Sequence, residues 1–234
     1  LRRHPVAYFA LPLLLDYDRS RFEVYCYSYY QGAEDVLQKR ISESVDVFRW
    51  RQDITDRDAA QMIADDQLDI LIELGGSTHM NKLAVMALKP AALQASWLGY
   101  PHSAGPSHID HIILDPHLAP TEPGLLIEKP LLMPKTWLTL AEQIFSDHHT
   151  IEEGLPENRN GFITFGTANN PHKYTERLLR TWAKVVHAVP NSRFEFIRPE
   201  GNTPAFRRNV EAAFAKEGVE ADRLVFRSVR GVHM

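Results

Sequence analysis

Leu68-Asp69-Ile70-Leu71-Ile72-Glu73-Leu74 runs straight into Gly75-Gly76-Ser77-Thr78, and this stretch decides the fold. Its apolar residues do not alternate strictly with polar ones. A strand that reads this way is expected to be buried on both faces, as in a parallel sheet covered by helices. Working outward, short runs rich in β-branched and aromatic residues recur at 22–28, 45–50, 93–98, 111–114, 161–165, 193–197 and 223–226. Helical patterns lie between them. Residues 6–15 follow His4-Pro5, with proline in a first-turn position where its missing N–H does no harm. Residues 55–66 open with an acid-rich turn that suits the helix dipole. Leu178, Leu179, Trp182, Val185, Val186 and Val189 recur at helical spacing within 175–189, and 204–217 stops before Gly218. Strand and helix in alternation mean an α/β protein with parallel sheets.

The chain has 234 residues, of which 44% are hydrophobic and 24% charged, so collagen-like and disordered classes are excluded. A net charge of −4 gives no electrostatic footprint for nucleic acid or an anionic membrane. Cys26 is the single cysteine, which rules out an internal disulfide and a four-cysteine zinc site. With no signal peptide and no apolar run long enough to span a bilayer, the expected setting is reducing and cytoplasmic. The opening residue is not Met, so the chain is expected to be part of a longer protein. Residues 116–160 hold six of the fifteen prolines and only one strand-like run, 129–133. The expected division is therefore a first Rossmann-like half at 1–115, a linker at 116–160 and the beginning of a second half at 161–234. Three strands are few for an open sheet, so the second half reads as incomplete.

Parallel α/β sheets bind ligands at the carboxyl ends of their strands, facing helix N-termini. Four segments meet that rule. His4, followed by Pro5, sits where it can cap a helix, either as a solvated start or as an imidazole facing an anionic group. Gly75-Gly76-Ser77-Thr78 offers backbone close to a ligand and hydroxyls able to cap the next helix; a tight turn explains it equally well. Trp97-Leu98-Gly99-Tyr100-Pro101 mixes an apolar platform with backbone donors, as a sugar pocket would, or forms a packed turn. Asn169-Asn170-Pro171-His172-Lys173 precedes a helix and could hold a phosphate without Walker spacing. The Asp16-Tyr17-Asp18 and Asp56-Arg57-Asp58 pairs imitate a metal-binding Asp-x-Asp, but turn and cap roles suffice for both. His148-His149 reads as a surface pair rather than a metal site.

Taken in order, these segments resemble the catalytic region of the O-linked N-acetylglucosamine transferases and the related SPINDLY protein O-fucosyltransferases. The likeness is carried by Arg3-His4-Pro5, by 69–78 with Asn81-Lys82-Leu83, and by Leu88-Lys89-Pro90-Ala91 with 94–101. It continues through Asp110 to Asp115, 161–166, Asn169-Asn170 and Lys173, and Trp182-Ala183-Lys184 with 189–193. The resemblance implies a GT-B architecture of two Rossmann-like halves, the second incomplete, with a nucleotide sugar held between them. It implies inverting transfer, without a metal or other cofactor, from UDP-N-acetylglucosamine to Ser or Thr hydroxyls of protein or peptide acceptors. GDP-fucose is the rival donor, favoured by Asn81-Lys82-Leu83 and Asn169-Asn170, and a GT-B nucleotide-sugar epimerase is the rival enzyme. By the same resemblance His4 is catalytic, and Pro5, Leu98, Gly99 and Pro101 bind the donor sugar. Asn170 and Lys173 bind the nucleotide and diphosphate, while Gly76, Thr78 and Tyr100 support them. The family's acidic residue four places before the histidine would precede Leu1, and its later His-Thr-Thr donor segment would follow Met234. N-terminal tetratricopeptide repeats are expected in the full-length protein, and the isolated segment is expected to be inactive.

Overall fold

The computed structural model describes residues 2–78, 81–140 and 152–228. The chain divides into two compact units, Leu1–Phe145 and Ser146–Met234.

The first unit contains α1 (Pro5–Asp16), β1 (Tyr25–Ser28), α2 (Val36–Ser44), β2 (Val47–Trp50) and α3 (Asp56–Asp65). It continues with β3 (Ile70–Glu73), α4 (Leu83–Ala87), β4 (Leu93–Ser96), β5 (His111–Leu114) and β6 (Lys129–Leu132). Strands β1 and β2 pair with each other, and the rest form a sheet in the order β3-β4-β5-β6. Every pairing is parallel, as the strand–helix alternation predicts. Two apolar clusters hold the helices. One joins Ala7, Ala10, Leu11 and Leu14 of α1 to Cys26, Ile41, Val45 and Leu98. The other packs Ala59, Ala60 and Ile63 of α3 against Leu71, Val85, Met86, Ala104 and Ile109.

Two features depart from the sequence reading. Strand β3 buries Leu71, yet Ile70 and Ile72 stand 56% and 37% exposed, so its apolar run is not buried on both faces. Helix α2 had no place in the reading; Asp35 caps it by accepting the Gln38 N–H at 2.8 Å. Strand β6 falls on the strand-like run read at 129–133 within the proline-rich stretch, and it is the last strand in the sheet order. Among the described residues nothing pairs with its outer edge, so Pro130, lacking an N–H, is tolerated.

The second unit contains α5 (Pro156–Asn160), β7 (Ile163–Thr167), α6 (Glu176–Ala188), β8 (Ser192–Ile197), α7 (Pro204–Ala215) and β9 (Leu224–Arg227). Its sheet runs β7-β8-β9, again all parallel. Phe194, Phe196, Phe214, Val186 and Val210 form its buried core, with Trp182 stacked on Phe194 at 5.0 Å between ring centroids. Thr175 caps α6 by accepting the Leu178 N–H. Of the helix's apolar stripe, Val186 is fully buried and Val185 is not.

Arg223 closes the far end of α6. Its Nη2 donates to the Val186 and Val189 carbonyls, both at 2.7 Å, and to Ser192 Oγ at 3.0 Å, while Nε donates to the Ser192 carbonyl at 2.9 Å. A guanidinium thus satisfies carbonyls the helix leaves open and meets the negative end of its dipole. Arg223→Ala is expected to cost about 3 kcal/mol, because several half-buried acceptors lose a charged donor together. Urea unfolding followed by intrinsic tryptophan fluorescence measures this. Arg223→Lys should recover only part of the loss, since an ammonium lacks the planar fork.

Candidate active site

Parallel pairing places Glu73 of β3 beside Ser96 of β4, so the loops that follow them leave from one carboxyl edge. The first loop turns at once. Glu73 Oε2 accepts the N–H groups of Gly75 at 2.9 Å and Gly76 at 2.8 Å, and Ser96 Oγ donates to Glu73 Oε1. Gly76 takes a left-handed conformation, φ +54°. Thr78 does not cap the next helix, as its position allowed; its hydroxyl turns back to the Gly75 carbonyl at 2.7 Å. Lys82 precedes helix α4 without a side-chain cap, while Asn81 Oδ1 accepts the Leu83 N–H at 3.1 Å.

The second loop is pressed against the first. A Cβ on Gly99 would lie 2.3 Å from the Leu74 carbonyl oxygen and 2.9 Å from Gly75 backbone carbons, so only glycine fits. A Cβ on Gly76 would meet Tyr100 Cβ at 3.0 Å. Leu98 adopts φ +82°, and the Gly99 N–H closes a three-residue turn onto the Trp97 carbonyl at 3.1 Å. A left-handed leucine costs about 1–2 kcal/mol and persists only where its surroundings impose it. Here the Leu98 side chain is 4% exposed, packed in the α1 cluster. The edge is therefore offered backbone from Leu98, not its isobutyl group. Tyr100 is half-exposed, its ring 4.7 Å from that of His102, and Pro101 is half-buried beside it.

The Leu98 cluster also contains Ala7 of α1, whose start carries His4. His4 is the helix cap, its Nδ1 accepting the Val6 N–H at 3.3 Å, with Pro5 in the first helical position. A neutral ring that accepts at Nδ1 keeps its proton on Nε2 and presents a donor there. Burial, reinforced by the neighbouring Arg2 charge, holds this imidazole below its ordinary pKa of 6.5. Around it, the Arg3 N–H donates to Asp35 at 2.6 Å and the Arg2 guanidinium lies 5.0 Å from the Tyr30 ring centroid.

Asp115, just past β5, is a further brace on this edge, and nothing in the sequence singled it out beyond its place in the likeness. It accepts N–H groups from His117, Leu118 and Trp137 at 2.9–3.0 Å. Burial works against its charge, yet these donors hold its carboxyl below the usual range. The Trp137 carbonyl in turn accepts from Trp97 Nε1 at 2.7 Å.

In the second unit, the loop after β7 folds on itself. Asn170 Oδ1 accepts the His172 N–H at 3.0 Å and starts a short 3-10 turn, Pro171–Lys173. Tyr174 Oη donates to the Asn169 carbonyl at 2.8 Å. Lys173 is exposed, and among the described residues no carboxylate pairs with its ammonium. A shallow cavity lined by Phe162, Asn191, Arg193 and Asp222 lies at the opposite, amino ends of β7 and β8 and has no part in this edge.

The imitation metal pairs resolve as caps and turns. Thr55 caps α3 by accepting the Asp58 N–H at 3.1 Å, and its hydroxyl donates to the Asp58 carboxylate. Asp18 accepts the Ser20 N–H at 3.0 Å. Among the described residues no three His, Cys, Asp or Glu side chains are grouped to hold a metal ion; His148-His149 lies outside them.

Residues 2–153 match the family described as Glycosyl transferase family 41. A probable UDP-N-acetylglucosamine–peptide N-acetylglucosaminyltransferase SPINDLY of Eustoma exaltatum subsp. russellianum is 35% identical over 194 residues, covering 81% of this chain and 21% of that protein. The UDP-N-acetylglucosamine–peptide N-acetylglucosaminyltransferase of Caenorhabditis elegans is 33% identical over 172 residues, 71% of this chain and 15% of that protein. Among solved structures, a lysine-to-methionine mutant of the Thermobaculum terrenum O-GlcNAc transferase superposes with a TM-score of 0.85 at 28% identity, covering 97% of this chain and 42% of that one. The chain thus spans about a fifth of the length of the SPINDLY relatives it matches.

Proposed function

The chain belongs to glycosyl transferase family 41 and takes the α/β, GT-B type fold of a solved O-GlcNAc transferase, and from that premise we propose that the full-length protein transfers N-acetylglucosamine, with inversion, from UDP to Ser or Thr hydroxyls of polypeptides. The observation that carries this reading is the strained Leu98 turn locked against Gly75–Gly76 on a strand edge. Backbone strain of this kind, held in place by neighbours that admit no side chain, is a mark of a ligand clamp. In this reading the backbone of Leu98 and Gly99, together with Pro101 and Pro5, cradles the donor sugar, with Gly76, Thr78 and Tyr100 supporting it. The Nε2–H of His4 donates to an oxygen at the transfer centre. Asn170 and Lys173 take the nucleotide and diphosphate, the ammonium stabilising the charge that builds on the leaving group in place of a metal ion. Tetratricopeptide repeats ahead of this region would present the acceptor. A reducing, cytoplasmic setting suits the one buried thiol, and no described helix is long and apolar enough to cross a membrane.

The test is transfer by the full-length protein to a Ser/Thr peptide, read by intact-mass spectrometry, with UDP-N-acetylglucosamine and GDP-fucose in parallel arms. Addition of N-acetylhexosamine from the first donor is the expected result. Addition of deoxyhexose alone would reassign the donor, and no addition from either would end the proposal.

A further inference from the structure

The carboxylate of Glu73 joins the first loop of the candidate site to the strand that leads into the second. Two glycine N–H groups, from Gly75 and Gly76, converge on its Oε2 within 2.9 Å, and the Ser96 hydroxyl fills Oε1. Two adjacent backbone N–H groups aimed at one oxygen make a small anion-binding concavity, and here the anion is part of the protein. The consequence reaches past the turn itself. The Leu74 carbonyl and Gly75 backbone are the surface on which Gly99 rests without room for a Cβ, and Gly76 rests on Tyr100. Ser96, on the other side of the carboxylate, sits in β4 one residue before Trp97, where the second loop begins. The brace therefore adjoins both the floor under Gly99 and the strand exit that leads to Leu98 at φ +82°. Charge-assisted bonds to a half-buried carboxylate are strong enough to hold such a conformation.

We propose that Glu73 is a positioning residue for donor-sugar binding, acting through the Gly75–Gly76 backbone and Ser96 to hold the 97–101 turn in its strained, sugar-accepting shape. This rests on the reading of that turn as the sugar cradle. It assigns Glu73 no contact with substrate and no proton transfer: both oxygens are already spent on the protein's own donors. Glutamine can keep most of the arrangement. Its carbonyl oxygen can take the two glycine N–H groups, and its amide can donate to a Ser96 hydroxyl that rotates to accept. Alanine removes all three bonds.

The test uses the full-length protein and compares affinity for UDP with affinity for UDP-N-acetylglucosamine by calorimetry, alongside steady-state kinetics. Glu73→Ala is expected to lower kcat/KM by about 10²-fold, the cost of displacing a bound group by roughly an ångström, and to weaken binding of the nucleotide sugar while leaving UDP affinity unchanged. Ser96→Ala should move the same quantities in the same direction by less, and Glu73→Gln should stay close to wild type. A purely structural brace would weaken UDP and UDP-sugar alike or lower only the folded fraction; either result overturns the proposal, as does unchanged sugar binding in Glu73→Ala. If Glu73→Ala does not fold, Ser96→Ala decides by the same ratio of affinities. Failure of the wild-type protein to bind or transfer the sugar would instead sink the underlying reading, which keeps the two outcomes apart.

Discussion

Replacing His4 with Asn is expected to cut kcat of the full-length enzyme by about 10²–10³-fold, the loss typical of removing one donor at a developing charge, while barely moving the melting temperature. Asn is as good a helix cap as the imidazole it replaces, so the α1 start survives and only the Nε2–H is lost. His4→Ala should show the same kinetic loss plus about 1 kcal/mol of destabilisation from the missing cap. If His4→Asn kept its turnover, the imidazole would be a cap and nothing more. The pH profile carries the same logic. Burial, with Arg2, lowers the pKa of His4 below 6.5, so the folded protein favours the neutral ring that accepts from Val6. Its contribution to stability is complete above pH 6.5 and is lost as pH falls from there through the lowered folded value. Transfer attributable to the neutral ring should therefore persist below pH 6.5, with its acid limb displaced downward, and that limb should vanish in His4→Asn.

Gly99→Ala is the second large effect, and it falls on folding as well as chemistry. The added methyl would meet the Leu74 carbonyl oxygen at 2.3 Å and Gly75 backbone at 2.9 Å, none of which can rotate away. Separating the two loops costs about 3 kcal/mol on the scale of overpacked cores, a fall of roughly 10 °C in melting temperature for a domain of this size. Donor binding should be lost with it. Gly105→Ala is the control. A Cβ there meets nothing within 4 Å, but φ is +96°, so only conformational strain of about 1–2 kcal/mol applies. A Gly99→Ala protein as stable as the Gly105→Ala one would mean that the loops are not locked as described.

Much of the fold was legible because burial period and caps are local signals. The runs at 45–50, 111–114 and 193–197 each fall on a strand, and Thr55 and Thr175 cap the helices their surroundings announce. Helix α2 was missed although Asp35 stands in the cap position. Its nine residues carry only three apolar side chains, so no stripe marks it, and it is held mainly through buried Ile41 and Gln38. The candidate site was legible as a set of loops but not as a mechanism. Glycine next to leucine suggests that Gly99 carries the unusual backbone; in the folded chain Leu98 does, and Gly99 is needed for space instead. Glu73 was hidden inside an apolar run, where the sequence gives no hint that a carboxylate turns back to collect N–H groups from the residues after it. The dependence of the second loop on the first is tertiary, since Ser96 and Gly99 stand more than twenty residues from Glu73 and Gly75.

The lone cysteine has a practical corollary. Cys26 is 7% exposed, and burial pushes its thiol up to about 12, so at neutral pH it offers neither access nor thiolate to an alkylating reagent. A new cysteine placed on an exposed position of either lobe, Arg51 or Lys184 for example, would then be the sole target for maleimide dyes within this region. One such site in each unit would let fluorescence energy transfer measure the distance between them with and without a donor sugar, with no need to mutate the native thiol first.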